Sequence, residues 1–247
     1  MNKEEMLNKV ICADCLEFMK DIPDKSIDMI LCDLPYGTTA CKWDTIIPFE
    51  PLWEQYKRII KDNGAIVLTA SQPFTSALVM SNIKMFKYEW IWVKSRPNGF
   101  LDANRKPMKK HENILVFYDK LPIYNPQGII LKDKPNKNTG VENVYGKVKK
   151  GYEGKVTYTN YPNSILDFAS NTNEFHPTQK PVALFEYLIK TYTNEGDLVL
   201  DNCAGSGTTG VACKNLNRNY ILIEKEPEYI DIINKRLNTL KQDKLLK

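Results

Sequence analysis

The sequence predicts an α/β fold with a mostly parallel sheet and helices on both of its faces. Short apolar segments that suit buried strands alternate with longer amphipathic segments that suit helices, a pattern typical of parallel sheets. Several helical segments begin at or beside proline, which the first turn of a helix tolerates. With 247 residues, 43% of them hydrophobic, the chain is long enough for one large domain plus an insertion or a small second domain.

The predicted elements follow in order on either side of a central interruption. Strands are predicted at residues 27–32, 65–70, 89–93, 114–118, 198–201 and 220–224. Helices are predicted at residues 51–61, 72–83, 181–191, 208–216 and 227–240. The sequence contains no internal repeat.

Neither a membrane span nor a secretory signal is predicted. No apolar run approaches the ~20 residues that cross a bilayer, and the first five residues are largely charged. The six cysteines mostly lie in apolar contexts, as reduced thiols do, which favours a cytoplasmic protein. Cys12 and Cys15 have the C-x-x-C spacing of some metal and redox sites. The sequence has no second such pair and only two histidines, so we predict no metal site.

Residues 120–172 differ in composition from the sequence on both sides. The segment is rich in Gly, Pro, Asn and Tyr and carries eight lysines against four acidic residues. Its net charge of +4 equals that of the whole chain, so the remainder is balanced. The alternation of strand-like and helix-like segments also stops here. We therefore expect a core of residues 1–119 and 173–247, with an insert at residues 120–172.

Charge alone allows two interpretations of this insert. A solvated loop region would explain its polar composition. A nucleic-acid contact surface would use lysines to neutralise phosphates and interleaved tyrosines to stack on bases. Under the second interpretation, the closely spaced Lys147, Lys149 and Lys150 are the candidate DNA contacts.

Asp33-Leu34-Pro35-Tyr36 follows an apolar strand and is the most informative motif of the chain. The carboxylate of Asp33 can accept a hydrogen bond from an amino group, and the carbonyl of Leu34 or Pro35 can accept another. The ring of Tyr36 can stack on a planar substrate. The turn therefore suits an exocyclic amine on an aromatic base, although such turns also occur with a purely structural role.

A second motif near the C-terminus predicts a nucleoside-binding unit. A strand that ends in Asp201 leads into a small-residue loop, a helix and a further strand that ends in Glu224. Gly205 and Gly207 permit a sharp turn and a close approach of the backbone to a ligand. An acidic residue about 20 positions further on can bind the hydroxyls of a ribose.

The glycine spacing of this unit leaves the identity of the nucleoside open. Gly205, Gly207 and Gly210 have the G-x-G-x-x-G spacing of dinucleotide sites, so a nicotinamide cofactor is not excluded. Asp201 before the loop and the amine-binding turn at Asp33 both disfavour hydride transfer.

Together, these motifs resemble those of the S-adenosylmethionine-dependent DNA amino-methyltransferases in the β arrangement, in which the catalytic motif precedes the cofactor motif. Residues 33–37 resemble the catalytic D/N/S-P-P-Y/F element, with leucine in place of the first proline. Residues 201–209 resemble the cofactor loop, with Cys203 where phenylalanine is more usual, and residues 176–181 closely resemble the preceding element. Residues 13–17 and 111–117 resemble further segments, so the resemblance spans about residues 10–240 except for the insert.

The resemblance implies a Rossmann-like methyltransferase fold, S-adenosyl-L-methionine as cofactor and a target-recognition role for the insert. It implies catalytic roles for Asp33, Leu34, Pro35 and Tyr36. Asp14 is implied to face the adenine of the cofactor, Asp201 its methionine end and Glu224 its ribose. The other implied cofactor contacts are Pro177, Thr178, Lys180, Cys203, Ala204, Gly205, Ser206, Gly207, Thr208 and Thr209.

The resemblance implies methylation of an amino group in double-stranded DNA. That amino group lies inside the duplex, so the base must leave the stack at a cost of ~a few kcal/mol. Aspartate rather than serine at position 33 favours the N6 of adenine, and the N4 of cytosine is the alternative. A methyltransferase for amines in RNA or protein, a non-catalytic DNA-binding module and a nucleotide-linked oxidoreductase are the other classes considered.

The resemblance also bears on partners and source. We expect no membrane partner, whereas a homodimer and a cognate restriction endonuclease are both compatible with it. We also expect the protein to be encoded by a bacterium or a phage and to act at the nucleoid.

Overall fold

An eight-stranded sheet is the framework of the protein in a computed structural model, which describes residues 3–39, 41, 44–139, 153–170 and 179–245. The strands of this sheet lie in the order β1 (Lys9–Cys12), β10 (Asn219–Glu224), β9 (Leu198–Asp201), β2 (Ile27–Asp33), β3 (Ile60–Ala70), β5 (Lys109–Phe117), β4 (Phe86–Asn98) and β8 (Ile165–Asp167). β5 is antiparallel to both of its neighbours, and every other adjacent pair of these described strands is parallel. The expectation of a mostly parallel sheet is therefore confirmed.

The remaining described elements are helices and one separate strand pair. The helices are α1 (Lys3–Met6), α2 (Cys15–Met19), α3 (Phe49–Ile59), α4 (Phe74–Ser81), α5 (Val182–Tyr192), α6 (Thr208–Asn215) and α7 (Pro227–Leu245), and a single 3-10 turn spans Phe100–Asp102. β6 (Ile130–Thr139) pairs antiparallel with β7 (Glu153–Thr159). No helix among the described residues is long and apolar enough to cross a membrane.

The side chains of β2 show that both faces of the sheet are covered. Ile30 and Cys32 lie in one buried cluster, while Met29 and Leu31 lie in another. Because successive side chains of a strand point to opposite faces, these two clusters are the two cores of the fold. α3 packs in the first cluster and α5 in the second.

One predicted helix ends earlier in the structure than in the prediction, because a strand pairing takes up its last residues. The sequence predicts a helix over residues 51–61, but α3 ends at Ile59, and Ile60 already has an extended backbone. Ile60 pairs with Ile27 of β2, so the sheet takes up a residue that the helical pattern would have included. β1 and β8 are further strands that the sequence analysis did not predict.

The insert contains regular structure that its composition did not predict. Residues 126–163 form a compact unit of their own, which includes β6 and β7. The larger unit comprises residues 1–125 and 164–247, so the flanks of the predicted insert, β8 among them, belong with the core. Lys147, Lys149 and Lys150 lie outside the described residues.

The strand directions bring several chain segments to one edge of the sheet. β2, β3, β9 and β10 are parallel, so their carboxyl ends lie at the same edge. β5 runs the other way, and its first residues therefore lie at that edge too. This carboxyl edge is where open α/β sheets bind ligands.

Candidate active site

A single pocket at the carboxyl edge brings together most of the residues predicted from the sequence. Its lining includes Asp33, Leu34, Pro35 and Tyr36 from the end of β2. It also includes Asp14, Lys180, Asp201, Cys203, Ala204, Gly205, Ser206, Thr208 and Glu224. The two motifs, about 170 positions apart in sequence, therefore line one cavity.

The carboxylate of Asp33 is the most heavily bonded group of the turn. The hydroxyl of Tyr36 donates to its Oδ1 at 2.8 Å, and the hydroxyl of Thr69 donates to the same oxygen. The ammonium group of Lys180 donates to Oδ2 at 2.6 Å. Asp33 thus holds the ring of Tyr36 and a buried lysine in fixed positions, which a simple turn cap would not require.

Lys180 is the centre of a buried chain of ion pairs. Its side chain is only 6% exposed, and its Nζ lies 3.4 Å from Oε2 of Glu112 in addition to its bond with Asp33. Glu112 in turn pairs with Lys94 through Oε1. Burial lowers the pKa of Lys180, but the two carboxylates outweigh it and the pKa is raised. Burial raises the pKa of Glu112, but the two lysines outweigh it and the pKa is lowered.

The ring of Tyr36 has an aromatic ring and this lysine as neighbours. It stacks on Phe74 with a centroid distance of 5.3 Å and an interplanar angle of 26°. The Nζ of Lys180 lies 5.5 Å from the centroid of the Tyr36 ring. Leu34 points into the core and is buried, so an apolar residue fits where the related motif has proline.

Asp44 holds the backbone that follows the turn. Its carboxylate accepts hydrogen bonds from the N–H groups of Gly37, Thr38 and Thr39 at 2.8, 2.9 and 2.7 Å. Gly37 has a φ of +66°, a conformation that glycine adopts without strain. Burial raises the pKa of Asp44, but these hydrogen bonds outweigh it and the pKa is lowered.

Asp201 has an unfavourable environment for its charge. It is buried at the end of β9, where it accepts bonds from the hydroxyl of Thr209 and, at 3.1 Å, from the N–H of Cys203. Burial raises the pKa of Asp201 to about 7, although both bonds act to lower it. A cationic ligand group beside Asp201 would favour its charged form.

Glu224 joins the cofactor loop to the end of β10. Its Oε2 accepts from the N–H of Gly205 at 2.8 Å, and its Oε1 accepts from the N–H of Glu226 at 2.9 Å. Burial raises the pKa of Glu224, while the backbone bonds act to lower it. Each oxygen retains a lone pair that can accept from a ligand hydroxyl.

The other predicted site residues fall into three groups. Asp14 lines the pocket and also caps α2, accepting from the N–H groups of Leu16 and Glu17. Gly207 and Thr209 do not line the pocket; Gly207 is the N-cap of α6 with a φ of +80°, and the hydroxyl of Thr209 donates to Asp201. Pro177 and Thr178 lie outside the described residues.

Several groups that support the site were missed from the sequence. Thr69, Glu112 and Asp44 bond to the turn or to its partners, yet they come from β3, β5 and a loop. The hydroxyl of Tyr56 on α3 donates to Asn202 of the cofactor loop at 2.6 Å. An acid within an apolar strand, as in His111-Glu112-Asn113, was the available signal for Glu112.

The lining of the pocket fits a cationic nucleoside cofactor. It carries five carboxyl groups, those of Asp14, Asp33, Asp44, Asp201 and Glu224, against the ammonium groups of Lys180 and Lys225. This balance favours a ligand with a sulfonium and an ammonium group over an anionic dinucleotide. Within the described residues, no cluster of three or more His, Cys, Asp or Glu side chains could hold a metal ion.

The raised pKa of Asp201 predicts a pH dependence of stability. The folded protein holds this proton to about pH 7, whereas the unfolded chain releases it near pH ~3.9. The contribution of Asp201 is therefore most favourable below about pH 4 and is lost as the pH rises through about 7. In Asp201→Asn, urea unfolding between pH 4 and 7 should lose less free energy per pH unit than in the unsubstituted protein. Parallel pH profiles would contradict this prediction.

The three backbone bonds to Asp44 predict a structural role for its carboxylate. Asp44→Ala leaves three N–H groups without their acceptor, so the free energy of unfolding should fall by about 1–3 kcal/mol. Asp24→Ala is the matched control, because Asp24 is exposed and pairs with Arg58 at the surface. Such surface pairs contribute about 0–1 kcal/mol. Equal losses in the two variants, measured by urea denaturation, would argue against the role of Asp44.

Comparisons with known proteins show which family this chain resembles. The family model described as DNA methylase, for N6 and N4 methyltransferases, matches residues 27–235. The type II methyltransferase M.HpaI of Haemophilus parainfluenzae is 29% identical, over 95% of this chain and 75% of its own. The DNA adenine methyltransferase YhdJ of Escherichia coli K12 is 30% identical, over 93% of this chain and 82% of its own.

A solved structure extends this agreement to the fold. The complex of M1.HpyAVI with S-adenosylmethionine has a TM-score of 0.64 and 29% identity, and the match covers 93% of this chain and 98% of that one. The predicted Rossmann-like methyltransferase fold and the predicted cofactor are thereby confirmed. The chain belongs to the DNA methylase family, the S-adenosylmethionine-dependent amino-methyltransferases of the adenine-N6 and cytosine-N4 type.

Proposed function

We propose that this chain methylates the N6 amino group of adenine in double-stranded DNA at a specific sequence, after the base has left the helix. The observation that carries the proposal is the position of Asp33, whose carboxylate lies in the wall of the cofactor pocket beside the ring of Tyr36. An acceptor and an aromatic ring at one pocket mouth suit an amino group on a flat base.

Two observations favour adenine over cytosine. The catalytic turn begins with aspartate rather than serine, and the relative YhdJ, which covers 93% of this chain, is named an adenine methyltransferase. Cytosine N4 is the second candidate, because the matching family model includes both activities.

The roles of the turn follow from the chemistry of the amine. The lone pair of an aromatic amino group is delocalised into the ring, which makes the nitrogen a poor nucleophile. Asp33 and the carbonyl of Leu34 or Pro35 accept its two hydrogens, which aligns the lone pair for attack. The nitrogen gains positive charge as it is methylated, and the fixed carboxylate stabilises that charge. Loss of one proton from the nitrogen to the solvent then gives the neutral methylated amine.

The hydrogen-bond donors around Asp33 leave one acceptor position of its carboxylate available for the substrate. A carboxylate has about four acceptor positions, and Tyr36, Thr69 and Lys180 use three of them. The fourth position is open to the target amino group. Lys180, held by Glu112, fixes the orientation of the carboxylate, and the Tyr36 ring stacks on the base.

The cofactor residues divide between the two ends of the pocket. When bound, S-adenosylmethionine supplies the electrophilic methyl group. Asp201 lies toward the methionine end, Glu224 binds the ribose hydroxyls and Asp14 faces the adenine. Residues 203–208 would complete the enclosure, and Lys180 would close it beside Asp33. Pro177 and Thr178 are proposed as further cofactor contacts.

The basic insert at residues 120–172 serves as the target-recognition region. Its net charge of +4 and its interleaved tyrosines support a role in contacting DNA phosphates and bases. Lys147, Lys149 and Lys150 are the proposed phosphate contacts.

The biological setting follows from the relatives. We infer a cytoplasmic protein of bacterial or phage origin that acts on DNA in the nucleoid. M.HpaI, to which the chain is 29% identical, is a type II methyltransferase, which supports a cognate restriction endonuclease as a partner. A homodimer is the proposed assembly.

Long-read sequencing of DNA from a host that expresses this chain tests the proposed reaction. We expect N6-methyladenine within one recurrent sequence and no such signal in the parent host. N4-methylcytosine would transfer the assignment to the second candidate, and unmodified DNA would overturn the proposal.

Asp33→Ala isolates the role of the carboxylate in that experiment. The variant should produce no methylated DNA, while calorimetry should still detect binding of S-adenosylmethionine. Retained cofactor binding shows that the fold survives, although Lys180 loses one of its buried partners. Normal methylation by this variant would remove Asp33 from the mechanism.

The role of the insert predicts a change in salt dependence. Replacing Lys147, Lys149 and Lys150 with glutamine should weaken DNA binding and reduce the slope of log affinity against log salt by about 3 × 0.9 units if each lysine contacts one phosphate. Fluorescence anisotropy at several salt concentrations measures the slope. The control Lys57→Gln changes an exposed lysine of α3 and should leave it unchanged.

A further inference from the structure

The turn between β4 and β5 carries two of the most exposed apolar side chains among the described residues. Phe100 is 77% exposed and Leu101 is 99% exposed, and both lie in the 3-10 turn at Phe100–Asp102. Gly99 precedes them with a φ of +94°, which lets the chain turn sharply into this segment. Large apolar side chains in such positions indicate a contact surface rather than part of the core.

The flanks of this turn are strongly basic. Residues 94–110 contain six lysines and arginines and one aspartate, a net charge of +5. Arg96, Arg105 and Lys110 are exposed, and none of them pairs with a carboxylate among the described residues. The apolar tip is therefore surrounded by positive charge, which suits an anionic polymer.

Strand register places this turn above the mouth of the pocket. Asp33 of β2 pairs with Thr69 of β3, and Thr69 pairs with Ile114 of β5. β5 begins at Lys109, five residues before Ile114, so the hairpin extends roughly 17 Å beyond the level of Asp33. Two strand spacings separate β2 from β5, roughly 10 Å sideways.

The ion pairs of the site also fix the base of this hairpin. Lys94 of β4 pairs with Glu112 of β5, and Glu112 pairs with Lys180, the partner of Asp33. Lys109 donates to the hydroxyl of Ser71, just after β3. The hairpin is therefore attached at its base to the same residues that orient the catalytic carboxylate.

We propose that Phe100 and Leu101 enter the DNA duplex beside the target base and occupy the space that the base leaves. Arg96, Arg105 and Lys110 bind the flanking phosphates. This inference rests on the proposed function, since it concerns the DNA substrate of the same site.

The physical reason is the cost of removing a base from the stack. Extrusion exposes the faces of the neighbouring bases, and an inserted apolar side chain covers them again. Phenylalanine and leucine are among the residues that proteins insert between base steps. A basic hairpin that reaches past the pocket mouth delivers these side chains where an extruded base leaves the helix.

The charge around the tip favours DNA over a second copy of this chain. Glu112 compensates Lys94, so residues 95–110 carry a net charge of +4, and two such segments would face each other in a symmetric dimer built on this turn. Such an arrangement is unfavourable without intervening anions, whereas DNA supplies a phosphate for each cation.

The test compares paired and unpaired targets. The first substrate is an oligonucleotide duplex that carries the sequence found by methylation mapping, and the second has an abasic site opposite the target base. In Phe100→Ala/Leu101→Ala, kcat/KM should fall roughly tenfold or more on the paired duplex. It should fall less than about threefold on the second duplex, whose target is already unpaired.

Met80→Ala is the matched control for this double variant. Met80 is 71% exposed, close to the 77% of Phe100, but lies near the end of α4, which leads into the start of β4 at the opposite edge of the sheet. The control variant should methylate both duplexes at the same rate as the unsubstituted protein. With 2-aminopurine at the target position, the fluorescence increase on binding should be reduced in the double variant and retained in the control.

Separate outcomes identify what fails. If the unsubstituted protein methylates no DNA, the proposed function fails and this inference fails with it. If it methylates DNA but the double variant loses equal activity on both duplexes, or none, only the inserted tip is overturned. If sedimentation shows that the double substitution changes the number of subunits, the tip is a contact between copies and the proposal is also overturned.

Discussion

The arrangement of this site depends on one buried ammonium group, that of Lys180. It pairs with Asp33 at 2.6 Å and with Glu112 at 3.4 Å, while Glu112 is also held by Lys94. Two cations and two carboxylates balance within a desolvated region, where removal of any one would leave an uncompensated charge. The turn at Asp33, the segment before α5 and the β4–β5 hairpin are therefore joined by one set of ion pairs.

The part of the pocket around Asp201 and Glu224 has no such balance of charges among the residues that the structure describes. Asp201 is buried with a pKa raised to about 7, and burial also raises the pKa of Glu224. These carboxyl groups are held by backbone N–H groups and hydroxyls rather than by basic side chains. A cationic ligand can supply the missing opposite charge, so the same burial that disfavours the free carboxylate favours binding of a sulfonium cofactor.

Much of the fold and the two main motifs could be predicted from the sequence because their signals are local. Apolar runs marked six of the ten described strands, and Asp33 and Glu224 each stand at the end of such a run at the sheet edge. The α3–β3 boundary was wrong because Ile60 suits both a helix and a strand, and only its pairing with Ile27 decides. The strands β6 and β7 were not predicted because lysine, asparagine and glycine obscure any alternation.

The sequence by itself therefore determined the α/β class and marked the glycine loop that begins at Asp201 and the turn at Asp33, because each is encoded in contiguous residues. Only the tertiary structure decided which side chains surround that turn. Thr69, Glu112 and Lys180 come from β3, β5 and the segment before α5, and no spacing along the chain relates them. The basic charge of residues 94–110 is visible in the sequence, but their position beside the site follows only from the pairing of β5 with β3 and β4. Strand register, which places distant residues at one edge, is the physical reason.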